Sequence, residues 1–164
     1  TMERVFIGLG GNQGDVAAIF ETAIADISAL PDIEYQRRSG LYRSPPWGGI
    51  EQPDFINTVL EVRAGCEPEV LLRQLLDIER QHGRNRADER HWGPRTLDCD
   101  ILLFGERSLH TRSLSIPHPR MSQRAFVLVP LSELDADLHI PDAGPLQDLI
   151  GHLLPQPIRL IAER

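Results

Sequence analysis

Arg95-Thr96-Leu97-Asp98-Cys99-Asp100-Ile101-Leu102-Leu103-Phe104 places two carboxylates at the head of a continuous apolar run. The run has the length and content of a buried strand. Side chains alternate along a strand, so Asp98 and Asp100 share a face, with stems roughly 6.6 Å apart, and Cys99 turns to the core. Because residues 101–104 are apolar without a break, the strand is expected to be central, where two carboxylates are costly unless paired or metal-bound. The plainer alternative is an exposed edge strand whose aspartates pair with arginines. Carboxyl groups on such stems can converge on one divalent ion, or on two about 3.5–4 Å apart.

Working upstream, Arg84, Arg86, Arg90 and Arg95 crowd into one short segment. Each alone reads as a solvated loop charge. Arg95 stands out because Gly93-Pro94 restrains the backbone just before it. Guanidinium groups match phosphate oxygens bidentately. Arginines beside paired carboxylates fit a nucleoside triphosphate with Mg²⁺.

Further out, Val5-Phe-Ile-Gly-Leu9 reads as a buried strand broken by Gly10-Gly-Asn-Gln-Gly14. Asp15 can cap a helix whose stripe is Val16, Ile19, Phe20, Ala23, Ile24, Ile27 and Leu30, ended by Pro31-Asp32. Residues 33–43 look extended and run into Ser44-Pro-Pro-Trp-Gly-Gly49. In a strand over residues 55–62, Ile56, Thr58, Leu60 and Val62 take one face, and Phe55, Asn57 and Val59 the other. Pro68 opens a helix that buries Val70, Leu71, Leu75 and Ile78 and stops near Gly83. Residues 107–116 read as irregular with a short strand, residues 120–134 as a helix interrupted or kinked at Pro130, and a short helix forms near Leu146. The order β-α-β-β-α-β plus a C-terminal extension implies an α+β layer: a largely antiparallel sheet with helices on one face. At 164 residues, a single domain over 1–164 is expected.

Seventeen basic against twenty-four acidic side chains give a net charge of −7, which argues against a surface that coats nucleic acid. A local arginine patch on an acidic chain suits a small anionic ligand better. Two cysteines make no disulfide framework. No apolar window approaches membrane-span length and no leader is evident, so a cytoplasmic protein is expected.

Aromatic residues make up only 5% of the chain, so Trp47, Phe55, Trp92 and Phe126 are informative. Asn57 shares a strand face with Phe55, and an amide beside a ring suits a flat heterocycle that stacks and hydrogen-bonds at its edge. The plainer reading is a core aromatic and a turn-capping amide. His118 lies in Ile116-Pro-His-Pro119, where flanking prolines extend its backbone toward a possible phosphate contact. No phosphate-binding Gly-x-x-x-x-Gly-Lys-Ser/Thr loop, protein-kinase signature or zinc spacing is present, and Gly8-x-Gly10-Gly11 is not a dinucleotide fingerprint.

Together these motifs resemble one family, the 6-hydroxymethyl-7,8-dihydropterin pyrophosphokinases of folate biosynthesis, from about residue 6 to about residue 141. The most specific match is Arg90-His-Trp-Gly-Pro-Arg-Thr-Leu-Asp-Cys-Asp-Ile-Leu-Leu-Phe-Gly105. Gly8-Leu-Gly-Gly-Asn12, Tyr42-Arg-Ser-Pro-Pro46, Gln52-Pro-Asp-Phe-Ile-Asn57, Ile78-Glu79 with Gly83-Arg84, and Ile116-Pro-His118 support it in order. His91 reads as an extra residue between Arg90 and Trp92.

The resemblance implies a ferredoxin-like α+β fold and an ATP-dependent pyrophosphokinase that releases AMP. It implies that Asp98 and Asp100 hold two Mg²⁺ ions, and that Arg84 and Arg95 act on the phosphates during transfer. Glu79, Arg86, Ile101, Ser115, His118 and Arg124 would complete the ATP site. Phe55 and Phe126 would sandwich the pterin, with Asn57, Ser44, Pro45, Trp47 and Trp92 around it. Its partners would be these small molecules, with no nucleic acid or membrane, and a monomer is expected. The rival readings are a metal-dependent nucleotidyl or phosphodiester enzyme on the same aspartates, and a ferredoxin-like RNA-binding module.

Overall fold

The computed structural model describes residues 1–46, 48–83 and 95–163. The first half comprises β1 (Glu3–Gly11), α1 (Val16–Ser28), β2 (Ile33–Arg38), β3 (Leu41–Ser44), β4 (Phe55–Ala64) and α2 (Pro68–Gln81). After it come β5 (Asp98–Phe104), the hairpin of β6 (Leu109–His110) and β7 (Ser115–Ile116), and a 3-10 turn at Met121–Gln123. The chain closes with α3 (Ala125–Leu134), a second hairpin of β8 (His139–Ile140) and β9 (Gly144–Pro145), α4 (Leu146–Gly151) and β10 (Arg159–Ala162).

The central sheet runs β10-β3-β4-β1-β5, with β2 also paired to β4, and every described pairing is antiparallel. Residues expected as one extended stretch form β2 and β3, divided at Ser39-Gly40 and laid against opposite ends of β4. The Ser39 hydroxyl fills the break by accepting from Val59 N–H at 3.0 Å.

Local signals behave as the sequence dictates. Asp15 Oδ1 accepts from Ala18 N–H at 3.2 Å at the start of α1. Pro68 occupies the first turn of α2, where its missing N–H costs nothing, and Gly83 closes that helix with φ 86°. The stripes of α1 and α2 bury Phe20, Ile27, Leu71 and Leu75 against Val5, Ile7, Leu9, Leu60, Val62 and Ile101. Each such fully buried side chain contributes about 1.5–3 kcal/mol.

Two expectations about the sheet are corrected. Helices cover both faces, because α3 packs on the side opposite α1 and α2, over Phe6, Val59, Leu102 and Leu103. Furthermore, β5 is a terminal strand of the sheet rather than a central one. Its apolar run arises because both faces are covered, and a register shift at Phe6/Ile7 turns adjacent Leu102 and Leu103 into the same cluster. Its Cys99 N–H donates to buried Glu79 Oε2 at 2.7 Å, on the side of the strand away from β1.

The expected interruption at Pro130 also lies elsewhere. Helix α3 runs through Pro130, and the break falls at Arg124, which is extended (φ −120°, ψ 107°) between the 3-10 turn and α3. The far end of α3 is pinned to the sheet: Tyr42 Oη donates to Glu133 at 2.7 Å, and Arg4 bridges Glu61 at 3.1 Å and Asp135 at 2.8 Å.

Candidate active site

The register of β1 builds the floor of a cleft. Gly10 stands between Asn57 of β4 and Asp98 of β5, and Gly8 stands between Val59 and Asp100. Two positions without side chains in the middle strand leave a trough flanked by carboxylates on one side and by the Asn57 amide on the other. Gly10 is required for this: a Cβ there would lie 2.6 Å from Asn57 Nδ2. Ser44, Phe55, Arg95, Leu102, Arg124, Phe126 and Val127 complete the wall around about 760 Å³ of empty space, part of it open to solvent.

The two sides of the cleft differ in chemistry. At one side Arg95 Nη1 donates to Asp98 Oδ2 at 3.1 Å. Burial weakens the charged form of Arg124, while Asp100 and Asp98 support it and Arg120 and Arg95 oppose it, with a net downward shift. The Arg124 guanidinium also lies 5.3 Å from the centre of the Phe126 ring. At the other side Phe55, Phe126 and Asn57 converge. Asn57 Oδ1 is shielded from solvent and has no hydrogen-bond partner among the described residues. A buried acceptor without a partner is expensive, and a donor on a bound heterocycle would relieve it.

His118 stands beside this charged side. Burial, then the positive charges of Arg124 and Arg120, push its imidazole down to about 4, against a smaller upward pull from Asp98. It is therefore neutral near pH 7. Its Nδ1 accepts from Arg120 N–H at 3.2 Å, which leaves the proton on Nε2 as a donor.

The structure thus gathers Ser44, Phe55, Asn57, Arg95, Asp98, Asp100, Arg124 and Phe126 around one cleft. Pro45 lies just outside, in a neighbouring apolar cavity that shares Ser44 and Phe126. Glu79 and Ile101 are buried on the opposite face of the sheet, and Ser115 sits on the β6–β7 hairpin; none of the three lines the cleft. Trp47, Arg84, Arg86, Arg90, His91 and Trp92 lie outside the described residues.

Asn12 carries a structural role that sequence reasoning did not assign. It is 5% exposed and exchanges two hydrogen bonds with Arg95, N–H to Arg95 O at 2.9 Å and Oδ1 from Arg95 N–H at 2.8 Å. Its Nδ2 donates to Gln52 Oε1 at 2.9 Å and to Pro53 O at 2.8 Å. One buried amide thereby joins the end of β1, the Arg95 segment and the approach to β4. An asparagine directly after the Gly10-Gly11 break was the available signal.

A family model described as 7,8-dihydro-6-hydroxymethylpterin-pyrophosphokinase (HPPK) matches residues 6–136. A Synechocystis protein named 2-amino-4-hydroxy-6-hydroxymethyldihydropteridine pyrophosphokinase is 45% identical, over 84% of this chain and 69% of its own length. A Pseudomonas aeruginosa protein of the same name is 41% identical, over 92% of this chain and 91% of its own. Among solved structures, wild-type Plasmodium falciparum HPPK-DHPS with pteroate superposes with a TM-score of 0.73 at 13% identity, over 92% of this chain. This chain spans 44% of that Plasmodium chain, and the likeness there concerns the fold.

Proposed function

The chain belongs to the 7,8-dihydro-6-hydroxymethylpterin-pyrophosphokinase family, and from that premise we infer how its cleft works. The activity is transfer of pyrophosphate from ATP to 6-hydroxymethyl-7,8-dihydropterin, giving AMP and the pterin diphosphate, in folate biosynthesis. The observation that carries this reading is the convergence of Asp98, Asp100, Arg95 and Arg124 with Phe55, Asn57 and Phe126 around one trough.

In this reading the pterin lies between Phe55 and Phe126 and donates from its edge to Asn57 Oδ1, which relieves that buried acceptor. Its hydroxymethyl oxygen then points toward the side with Asp98 and Asp100. That oxygen forms a bond to the β-phosphorus of ATP as its O–H bond breaks and the proton passes to solvent water. The bond from the β-phosphorus to the oxygen shared with the α-phosphorus breaks, and the electron pair leaves on AMP. Such transfer needs positioning and charge stabilisation more than covalent help from the protein. Arg95 and Arg124 supply positive charge to the transferring and bridging oxygens, and neutral His118 donates from Nε2.

Asp98 and Asp100 suit a hard cation. They offer oxygen only, and phosphate oxygens and water are ligands that can complete the coordination of such an ion. We propose that they hold two Mg²⁺ ions, whose chemistry when bound is to neutralise the triphosphate and polarise its phosphoryl oxygens. Arg84 and Arg86 as further phosphate ligands, and Trp47 and Trp92 as further pterin contacts, belong to the same proposal. So do Glu79, Ile101 and Ser115 at the nucleotide, a ferredoxin-like reading of the strand order, a monomer and a cytoplasmic location. No helix of the described residues is long and apolar enough to cross a membrane.

Product analysis tests the reaction. With ATP, Mg²⁺ and the pterin, AMP is expected in step with pterin diphosphate. ADP would place the attack on the γ-phosphorus, and pyrophosphate release would favour a nucleotidyl enzyme on the same aspartates.

A further inference from the structure

Helix α3 begins without a cap of its own: its N-cap residue is Arg124, and no local side chain accepts from its first turn. The amide of Ala125 is satisfied from far along the chain, donating to Gln156 Oε1 at 2.9 Å. The other end of the same side-chain amide, Gln156 Nε2, donates to Gln123 O at 2.7 Å. Gln156 therefore grips the peptide groups on both sides of Arg124 and bridges the break between the 3-10 turn and α3. Arg124 keeps the extended backbone that directs it to Asp98 and Asp100, and Phe126 follows in the first turn.

Gln156 is itself held firmly. Pro155 and Pro157 flank it and restrict the backbone. Just beyond, β10 pairs with β3, Arg159 opposite Arg43 and Leu160 opposite Tyr42, so the tail is fastened to the strand that ends at Ser44. This segment lies beyond the residues matched by the family model.

We propose that Gln156 is a positioning residue of the active site, acting through Arg124 and Phe126, and that the C-terminal tail is part of the catalytic apparatus rather than a structural appendage. The proposal rests on the assignment of the cleft to pterin and ATP. Loss of the grip frees the Arg124 backbone, and misplacement of a charge-stabilising group by about 1 Å can cost up to about a hundredfold in turnover.

The test compares Gln156→Ala with Gln147→Ala. Gln147 also ties down α3, donating to Ser132 Oγ at 3.0 Å and Ala136 O at 3.2 Å, but at the far end of the helix from the cleft. Both variants are expected to lower the melting temperature. Only Gln156→Ala is expected to weaken binding of 6-hydroxymethylpterin, followed by its fluorescence, by about two- to tenfold, and to reduce kcat by about ten- to a hundredfold. The effect on pterin affinity should disappear in a Phe126→Ala background. Equal kinetic losses in both variants, or wild-type binding and turnover in Gln156→Ala, would overturn the proposal. A wild-type protein that binds the pterin yet makes no AMP would sink the pyrophosphokinase reading alone, and the affinity comparison would still decide the role of Gln156. A wild-type protein that binds no pterin would overturn both.

Discussion

Asn12 and Arg95 hold each other by a reciprocal pair of hydrogen bonds, main-chain N–H to main-chain O at 2.9 Å in one direction and main-chain N–H to side-chain Oδ1 at 2.8 Å in the other. The pair fixes the start of the segment that leads into β5, three residues before Asp98. Arg95 is therefore anchored at its backbone by Asn12 while its guanidinium reaches Asp98.

Asn12→Ala should consequently damage fold and function together. It removes the acceptor for Arg95 N–H and both contacts to Gln52 and Pro53. A loss of about 1–3 kcal/mol in urea unfolding is expected, with a fall in kcat larger than the change in pterin KM. Gln52→Ala, which removes one contact of the set, should lose less of both.

The adjacent glycines separate the two effects. A Cβ at Gly10 meets the side-chain amide nitrogen of Asn57 at 2.6 Å, whereas a Cβ at Gly11 meets the main-chain oxygen of Thr96 at 2.6 Å. Gly10→Ala is expected to displace Asn57 and raise the pterin KM with little change in melting temperature. Gly11→Ala is expected to destabilise the fold, because a backbone oxygen cannot swing aside. Thermal unfolding and pterin KM, measured on both variants, check the contrast.

With Asp98 and Asp100 as the proposed Mg²⁺ ligands, Asp98→Ala and Asp100→Ala should each cut turnover by about a thousandfold or more, since metal assistance supplies several kcal/mol. Titrating Mg²⁺ at fixed ATP should show activation shifted to higher Mg²⁺ concentration in both. Near-normal turnover by Asp100→Ala would remove it from the proposed metal site.

His118 predicts an acid-side loss of stability. Its folded-state value of about 4 lies below the ordinary 6.5, because burial and then Arg124 and Arg120 disfavour the cation. Between those values the unfolded chain binds a proton that the folded chain does not, so stability falls as pH drops from about 6.5 toward 4. Urea unfolding at several pH values should show this slope, and His118→Gln should flatten it.

Much of this site was legible in the chain. Strand alternation alone put Asp98 with Asp100 and Phe55 with Asn57, and each pair lines the cleft. Capping by Asp15, the start at Pro68 and the buried stripes of α1 and α2 were equally readable, because all depend on residues within one or two turns of each other. Phe126 stood out as one of few aromatic residues, whereas Arg124 was reached only through family resemblance. Nothing local in residues 120–134 signals that the helix breaks at Arg124 rather than at Pro130.

What the sequence determined by itself was the place of β1, β4 and β5, their core faces and the chemical character of the candidate residues, since period and composition are local properties. Tertiary structure alone decided that β5 is terminal yet covered on both faces, that Gly8 and Gly10 form a floor between aspartates and asparagine, and that Asn12 and Gln156 hold the site from opposite ends of the chain. The reason is physical. The partners of a strand edge, a peptide amide or an uncapped helix are chosen by which segments the folded chain brings within about 3 Å, and hydrogen bonds between residues so distant in sequence leave no periodic trace in it.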